Sequence, residues 1–385
     1  MDKVRFGIVG CGNMGSGHAN NFINGKFENG VLTALCDINP SKLKTFKENL
    51  ENVYFYDDAE TMFKAGVCDA VIIATPHYSH PELAIKAMDN NLHCIVEKPA
   101  GVYTLQVKEM LKRSEKSDKI LGIMFNQRTN PAFIKMKKMI EDGCIGEIKR
   151  TNWIITDWYR TQHYYDTGDW RATWKGEGGG VLYNQAPHQL DLFQWIIGMA
   201  PSKVRAFCHF GKWHNIEVED DVTCYVEYPN GATGVFISTT ADAPGTNRFE
   251  VTGTKGTLLF ENNKLYYTKL LKDEREYCYS ATTGFDKPPF IEKVEVELEG
   301  DNPQHVGIVR NIINAILGKE EVYAPAKDGL KGVELANAMH LSSWLNKDIT
   351  LPIDDNLFYQ ELKKRIETSK PRVASNNNKV EIQGN

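Results

Sequence analysis

No stretch of this chain stays apolar for the length a helical bilayer crossing demands. The sequence opens directly on a strand pattern, without the charged, apolar and small-residue succession of a secretory leader, and a cytoplasmic location is expected. Neither sign of charge dominates. The 45 basic and 50 acidic residues leave a net −5, which argues against nucleic acid or an anionic membrane as partner. Cysteine pairing motifs are missing as well. The eight cysteines, at 11, 36, 68, 94, 144, 208, 224 and 278, include no C-x-x-C, and several fall inside strand-like segments. Reduced, buried thiols fit that distribution better than a disulfide frame. His77-x-x-His80 and the His209/His214 pair lack cysteine or carboxylate partners at ligand spacing, so no metal is expected. With 42% hydrophobic and 25% charged residues, 385 residues suit a globular protein of two domains.

The chemistry starts at the beginning of the chain. Val4-Arg5-Phe6-Gly7-Ile8-Val9 is apolar and β-branched enough for a buried parallel strand. It runs into Gly10-Cys11-Gly12-Asn13-Met14-Gly15, a full G-x-G-x-x-G. Gly10 permits a tight turn, Gly12 lets the backbone approach a pyrophosphate, and Gly15 lets the following helix pack on the strand with its N-terminus toward the phosphates. Leu32–Cys36 reads as the next strand, and Asp37 closes it 22 residues after Gly15. There a carboxylate hydrogen-bonds an adenosine ribose. No arginine follows in Ile38-Asn39-Pro40, so a 2′-phosphate meets uncompensated negative charge and NAD is favoured over NADP.

The alternation continues through apolar runs at 53–55, 70–74, 93–96 and 120–125, with helical patterns such as 81–89 and 105–116 between them. Six strands with intervening helices describe an α/β, doubly wound parallel sheet over residues 1–125 with a nucleotide at its carboxyl edge. After 126 the character changes. One helix near 132–141 precedes strand-like segments separated by turns such as Pro229-Asn230-Gly231, implying an α+β domain over 126–368 with a mainly antiparallel sheet, interrupted by a helix near 181–197. Segments 304–317 and 329–345 are helical again and could pack back on the first domain. Residues 369–385 read as a polar tail.

Two segments carry the candidate reaction. Glu97-Lys98-Pro99 follows the fifth strand directly, at the edge where a nicotinamide would lie, and a lysine there can hydrogen-bond a reacting oxygen. The second is Gly178-Gly179-Gly180 leading into Asn184, His188 and Asp191, spaced i, i+4 and i+7, one face if the segment is helical. Pro187 would cost a mid-helix hydrogen bond and fits better if the regular helix starts near Asn184. A histidine can take a hydroxyl proton near neutral pH, as alcohol oxidation requires. Upstream, Asp157-Trp158 and Trp170-Arg171 bring aromatics together with charges, as sugar pockets do, although tryptophans there serve equally well as sheet core.

In GIVGCGNMG near the start, TPHYSH at 75–80, EKPAG at 97–101, NQR at 126–128 and GGGVLYNQAPHQLD at 178–191, the chain resembles the glucose–fructose oxidoreductase/inositol dehydrogenase (Gfo/Idh/MocA) family. The resemblance implies a Rossmann domain followed by an open, mostly antiparallel sheet serving substrate binding and oligomer contacts, here a homodimer or homotetramer. It implies NAD-dependent oxidation of a secondary hydroxyl on a carbohydrate substrate: a sugar, glycoside, anhydrosugar or inositol. Lys98 and His188 match the family's catalytic pair. Gly10, Gly12, Asn13, Met14, Asp37, Thr75, Pro76, His77, His80, Glu97, Lys98 and Gln127 fall on its cofactor side. Lys98, Arg128, Asp157, Trp158, Arg171, Asn184 and His188 make up the substrate side. One position departs from the pattern: many members carry an aspartate where Asn184 stands, and an amide can orient a hydroxyl but cannot ionise. NQAPHQLD looks closer to enzymes of anhydrosugars or glycosides than to inositol dehydrogenases proper. Two further readings stay open, an enzyme that retains and recycles NAD through a 3-oxo intermediate and a non-catalytic NAD sensor.

Overall fold

A computed structural model describes residues 3–370. Strands β1 (Val4–Val9), β2 (Gly30–Cys36), β3 (Tyr54–Tyr56), β4 (Ala70–Ile73), β5 (His93–Val96) and β6 (Leu121–Ile123) form a parallel sheet in the order β3-β2-β1-β4-β5-β6. All four residues of β4 are buried, as covering by helices on both faces requires. The strand order reverses between β1 and β4, which opens a crevice at their carboxyl ends.

The second sheet contains β7 (Ile148–Ile155), β8 (Lys203–Phe210), β9 (Glu219–Glu227), β10 (Thr233–Thr239), β11 (Asn247–Gly253), β12 (Gly256–Glu261), β13 (Lys264–Leu270), β14 (Phe290–Glu295) and β15 (Ile349–Thr350). Its order is β14-β13-β12-β11-β7-β10-β9-β8-β15, antiparallel except for the parallel β7–β10 pair. Period-two patterning gives it two unlike faces. Val222, Cys224 and Val226 of β9 point into a core shared with Phe133 and Met136 of the helix Pro131–Glu141, whereas Tyr225 on β9 and Phe207 on β8 are exposed. Strands β13, β14 and β15 carry little apolar alternation, and the sequence pattern did not mark them.

The helix anticipated near 181–197 is two pieces, Val181–Asn184 and Pro187–Trp195. Pro187 occupies the first turn of the second piece, where its missing N–H costs nothing. Asp191 consequently does not share the surroundings of Asn184.

Late in the chain the helix Gln304–Ile316 returns to the first sheet. Ile313 fills the space over Gly30 and Ile312 the space over Gly122. The helix Ala326–Leu345 then joins both cores: Ala326 and Val333 belong to the first, Leu335, Met339 and Leu341 to the second. Among the described residues no helix is long and apolar enough to cross a membrane. Apart from Ser369 and Lys370, the polar tail lies outside the described residues.

Candidate active site

The glycine turn has the geometry a dinucleotide needs. Gly10 sits at φ +90°, and a Cβ on it would come within 2.7 Å of the Ala74 carbonyl. A Cβ on Gly15 would lie 1.8 Å from the Gly10 carbonyl, so the helix Asn13–Ile23 can seat only on glycine. Gly12 faces open space, and no side chain caps the helix that starts there, which leaves its first N–H groups for an anion. Asn13 and Met14 lie exposed on its first turn. Asp37 is buried, and its carboxylate accepts from Cys11 N and Asn39 N, both at 2.8 Å. These residues fit NAD, with the pyrophosphate at the helix start and a ribose at Asp37. The sequence reading missed Lys42, whose ammonium lies 3.6 Å from Asp37.

At the end of β5, Glu97 and Lys98 go separate ways. The Glu97 carboxylate meets His18 Nε2 at 2.7 Å, both side chains being buried. Burial alone would push that carboxyl up, but the His18 hydrogen bond and charge, with help from His305 and Lys98, hold it at about 2. Lys98 Nζ crosses to the second domain and donates to the Asn184 carbonyl at 2.6 Å. Burial lowers its pKa, and Glu97 only partly opposes the shift. His188, at 8% exposure, has a buried Nδ1 with no hydrogen-bond partner. Burial and then the Lys98 charge drive its pKa well below 6.5, so the imidazole is neutral at physiological pH.

Glu177, which the sequence reading passed over, is a buried carboxyl bonded to Asn184, the residue that holds Lys98. It accepts from Ala172 N at 2.6 Å and from the Asn184 amide Nδ2. Asn184 Oδ1 in turn accepts from the Tyr164 hydroxyl at 3.2 Å, and Arg171 Nη1 donates to that same hydroxyl at 2.8 Å. Burial raises the Glu177 pKa against the pull of Arg171. The ionisable carboxyl missing at position 184 is thus present one hydrogen bond away.

The remaining candidates divide. Trp158 packs against the second core with Arg160 over its ring at 5.8 Å, and Asp157 is drawn to the Asn247 side chain. His77 Nδ1 contacts the Glu177 carbonyl at 3.1 Å, linking the first domain to the site. His80 is buried, with its nitrogens at 2.7 and 2.8 Å from the Thr75 and Pro99 carbonyls, so it ties the 75–80 loop to the Lys98 turn instead of offering a ring nitrogen to a cofactor. Pro76 is exposed beside it, and Gln127 donates to Gln304 at 3.2 Å. Arg128 requires a correction. It is 1% exposed, bonded through Nε and Nη2 to Asp191 at 2.8 and 2.6 Å and through Nη1 to Asp328 at 3.0 Å and the Tyr323 carbonyl. Four of its five N–H donors are taken by the two carboxylates and that carbonyl, and with the side chain buried it is a structural ion-pair centre and not an open substrate contact.

Comparison with known proteins agrees with this architecture. Residues 4–125 match the model of the oxidoreductase family with an NAD-binding Rossmann fold, and residues 133–259 match the Gfo/Idh/MocA C-terminal domain. The chain is 27% identical over 279 residues to myo-inositol 2-dehydrogenase of Thermotoga maritima, covering 71% of this chain and 79% of that one. It is 27% identical to levoglucosan dehydrogenase of Pseudarthrobacter phenanthrenivorans over 55% of this chain and 58% of that one. The crystal structure of the WlbA dehydrogenase from Bordetella pertussis in complex with NADH and UDP-GlcNAcA superposes with a TM-score of 0.76 at 26% identity, covering 91% of this chain and all of that one. With both of its domains matched by the family's models and relatives of the same kind along most of its length, the chain belongs to the Gfo/Idh/MocA family and is an NAD-dependent oxidoreductase.

Proposed function

We propose that the protein oxidises a secondary hydroxyl of a sugar-type ring, with His188 as base and Lys98 as the donor that steadies the reacting oxygen. The observation that carries this is the buried, unpartnered Nδ1 of a neutral His188 in the field of the Lys98 ammonium. A buried polar atom without a partner is costly unless a ligand completes it. When bound, NAD supplies the hydride acceptor. His188 removes the hydroxyl proton, and Lys98, anchored by the Asn184 carbonyl, donates to the oxygen as charge develops on it. Glu177 fixes the Asn184 side-chain amide, while Lys98 is held by the backbone carbonyl of the same residue. The relatives named for inositol and levoglucosan oxidation support a cyclic polyol substrate and net release of NADH over a retained cofactor. A cytoplasmic homodimer or homotetramer assembled through the exposed face of the second sheet fits the same reading.

The test is a panel of inositols, sugars and glycosides followed by NADH absorbance. With a substrate in hand, His188→Ala should cut kcat by about 10²–10⁴-fold with NAD affinity retained, the usual size of a general-base effect. The wild-type rate should fall only as the pH drops through the depressed His188 pKa, well below 6.5. Lys98→Ala should lose a comparable factor, and the two losses should not multiply. A His188→Ala enzyme with near-native kcat would refute the assignment.

A further inference from the structure

Two guanidinium groups lie close enough to Lys98 to act on its charge, and the acceptors of their hydrogen bonds are neutral. Arg171 lies between two aromatic rings, 4.7 Å from the centroid of Tyr164 and 4.8 Å from that of Trp170, and its Nη1 donates to the Tyr164 hydroxyl. Arg160 lies 5.2 Å from the same tyrosine ring, and its Nη1 donates to the Tyr159 carbonyl at 3.0 Å. Its backbone is pinned on both sides, by its own N–H to the Thr240 carbonyl and by His214 Nε2 at its carbonyl. The Tyr164 hydroxyl donates to the Asn184 side chain, and the backbone carbonyl of Asn184 accepts from Lys98, so Tyr164 and Asn184 are the two residues between Arg171 and the proposed reaction centre.

Lys98, Arg171 and Arg160 are all half-buried, and Glu177 attracts Arg171 and Lys98 while its oxygens take other hydrogen bonds. Glu177 holds Ala172 N and the Asn184 amide, and Glu97 holds His18. Glu97 and Glu177 support the charge on Lys98, whereas Arg171 and Arg160 oppose it, a repulsion that low dielectric strengthens. A stacked guanidinium presents a rigid fork matched to a carboxylate or a phosphate.

We propose that the substrate carries an anionic group, a carboxylate or a phosphate, gripped by Arg171 with Arg160 beside it, on the ring whose hydroxyl Lys98 and His188 address. This rests on the dehydrogenase reading and narrows it from sugars in general to uronates or sugar phosphates. The overall net charge of −5 gives such a substrate no long-range attraction, so selectivity must arise at contact.

Matched pairs test it: methyl glucoside against methyl glucuronide, galactose against galacturonate, and glucose against glucose 6-phosphate. The preferred anionic member should exceed its neutral partner in kcat/KM by about 10–100-fold, mostly through KM, and the advantage should shrink with added salt. The uronate and phosphate arms identify which anion the fork takes. Arg171→Gln should lower kcat/KM for that anion at least ~10-fold more than for its neutral partner, whereas Arg171→Lys should restore part of the discrimination. Equal loss on both members, or preference for the neutral one, overturns the proposal. Should no compound be oxidised, calorimetry of the same pairs on NADH-loaded protein separates the two readings. Arg171-dependent binding of the anion without hydride transfer would sustain this inference and sink the dehydrogenase assignment. Binding of neither member, or of both equally, would sink the inference.

Discussion

Replacing Asn184 by the aspartate common at this position in the family would, on sequence grounds alone, place a carboxylate near His188 and raise its pKa. The structure predicts otherwise, because the Asn184 amide donates to Glu177. In Asn184→Asp the donor becomes an acceptor, and two carboxyls face each other at hydrogen-bond distance, about 3 Å. Two full charges at that separation repel by about 5 kcal/mol at an effective dielectric of 20, equivalent to roughly four pKa units. Asn184 is half-buried and solvent screens part of this, so about 2–4 kcal/mol should remain. The pair will hold one proton between them, as close carboxylates do. Its folded pKa lies above the value near 4 of the unfolded chain, so the variant should match the wild type below about pH 4 and lose stability as pH rises through the folded value. Urea titrations at about pH 4, 6 and 8 would read this trend directly. With one proton trapped between Glu177 and the introduced aspartate, little new charge reaches His188, and the acidic limb of the rate profile should move by less than about half a unit. Equal stability at all three pH values, together with a limb shifted upward by a unit or more, would refute the coupling to Glu177.

Three further outcomes follow from other contacts. NAD should bind more tightly than NADP by about 1–2 kcal/mol, the low end for a charge clash because Lys42 offsets part of the Asp37 charge, and equal binding in parallel titrations would contradict the role of Asp37. Asp191→Asn should cost about 3 kcal/mol by leaving the buried Arg128 undercompensated, with KM unchanged in the folded fraction, whereas unaltered stability with a raised KM would return Arg128 to the substrate. His18→Ala should remove the hydrogen bond that holds Glu97 at about 2. Glu97 stabilises the fold above its unfolded pKa near 4.3 and loses that contribution as pH falls toward the folded value, so the gap between variant and wild type should close over that interval in acid titrations followed by tryptophan fluorescence.

What the sequence revealed was local. The glycine turn, Asp37 and the EKP lysine can be read because their meaning depends on a few neighbouring residues and on the strand that precedes them. Arg128 could not be read this way, since its partners lie 63 and 200 positions further along and only the folded chain brings them together. Glu177 escaped for a different reason. It immediately precedes the glycine run, and nothing in its local pattern says that the turn of Gly178–Gly180 folds it back under Asn184. Asp191 shares a face with Asn184 only in one continuous helix, and Pro187, the residue that argues against one, starts a new helix. The edge strands β14 and β15, and β13 beside the first of them, show too little burial for periodicity to mark them.

The helices that close the first sheet come from the far end of the chain, and this orders events on the ribosome. The nucleotide-binding half is made first, yet Ile308, Val309, Ile312 and Ile313 supply one wall of its core and Val333 a further piece. Until those residues emerge, Gly30 and Gly122 leave open notches in a sheet whose strands are otherwise ready to pair. The emerging chain must carry that unfinished apolar surface through synthesis of the entire second sheet from β7 to β14. Such an intermediate is the kind that chaperones hold. The helix Gln304–Ile316 closes those notches, and the helix Ala326–Leu345 made next packs into both cores, so neither core is complete before it has emerged.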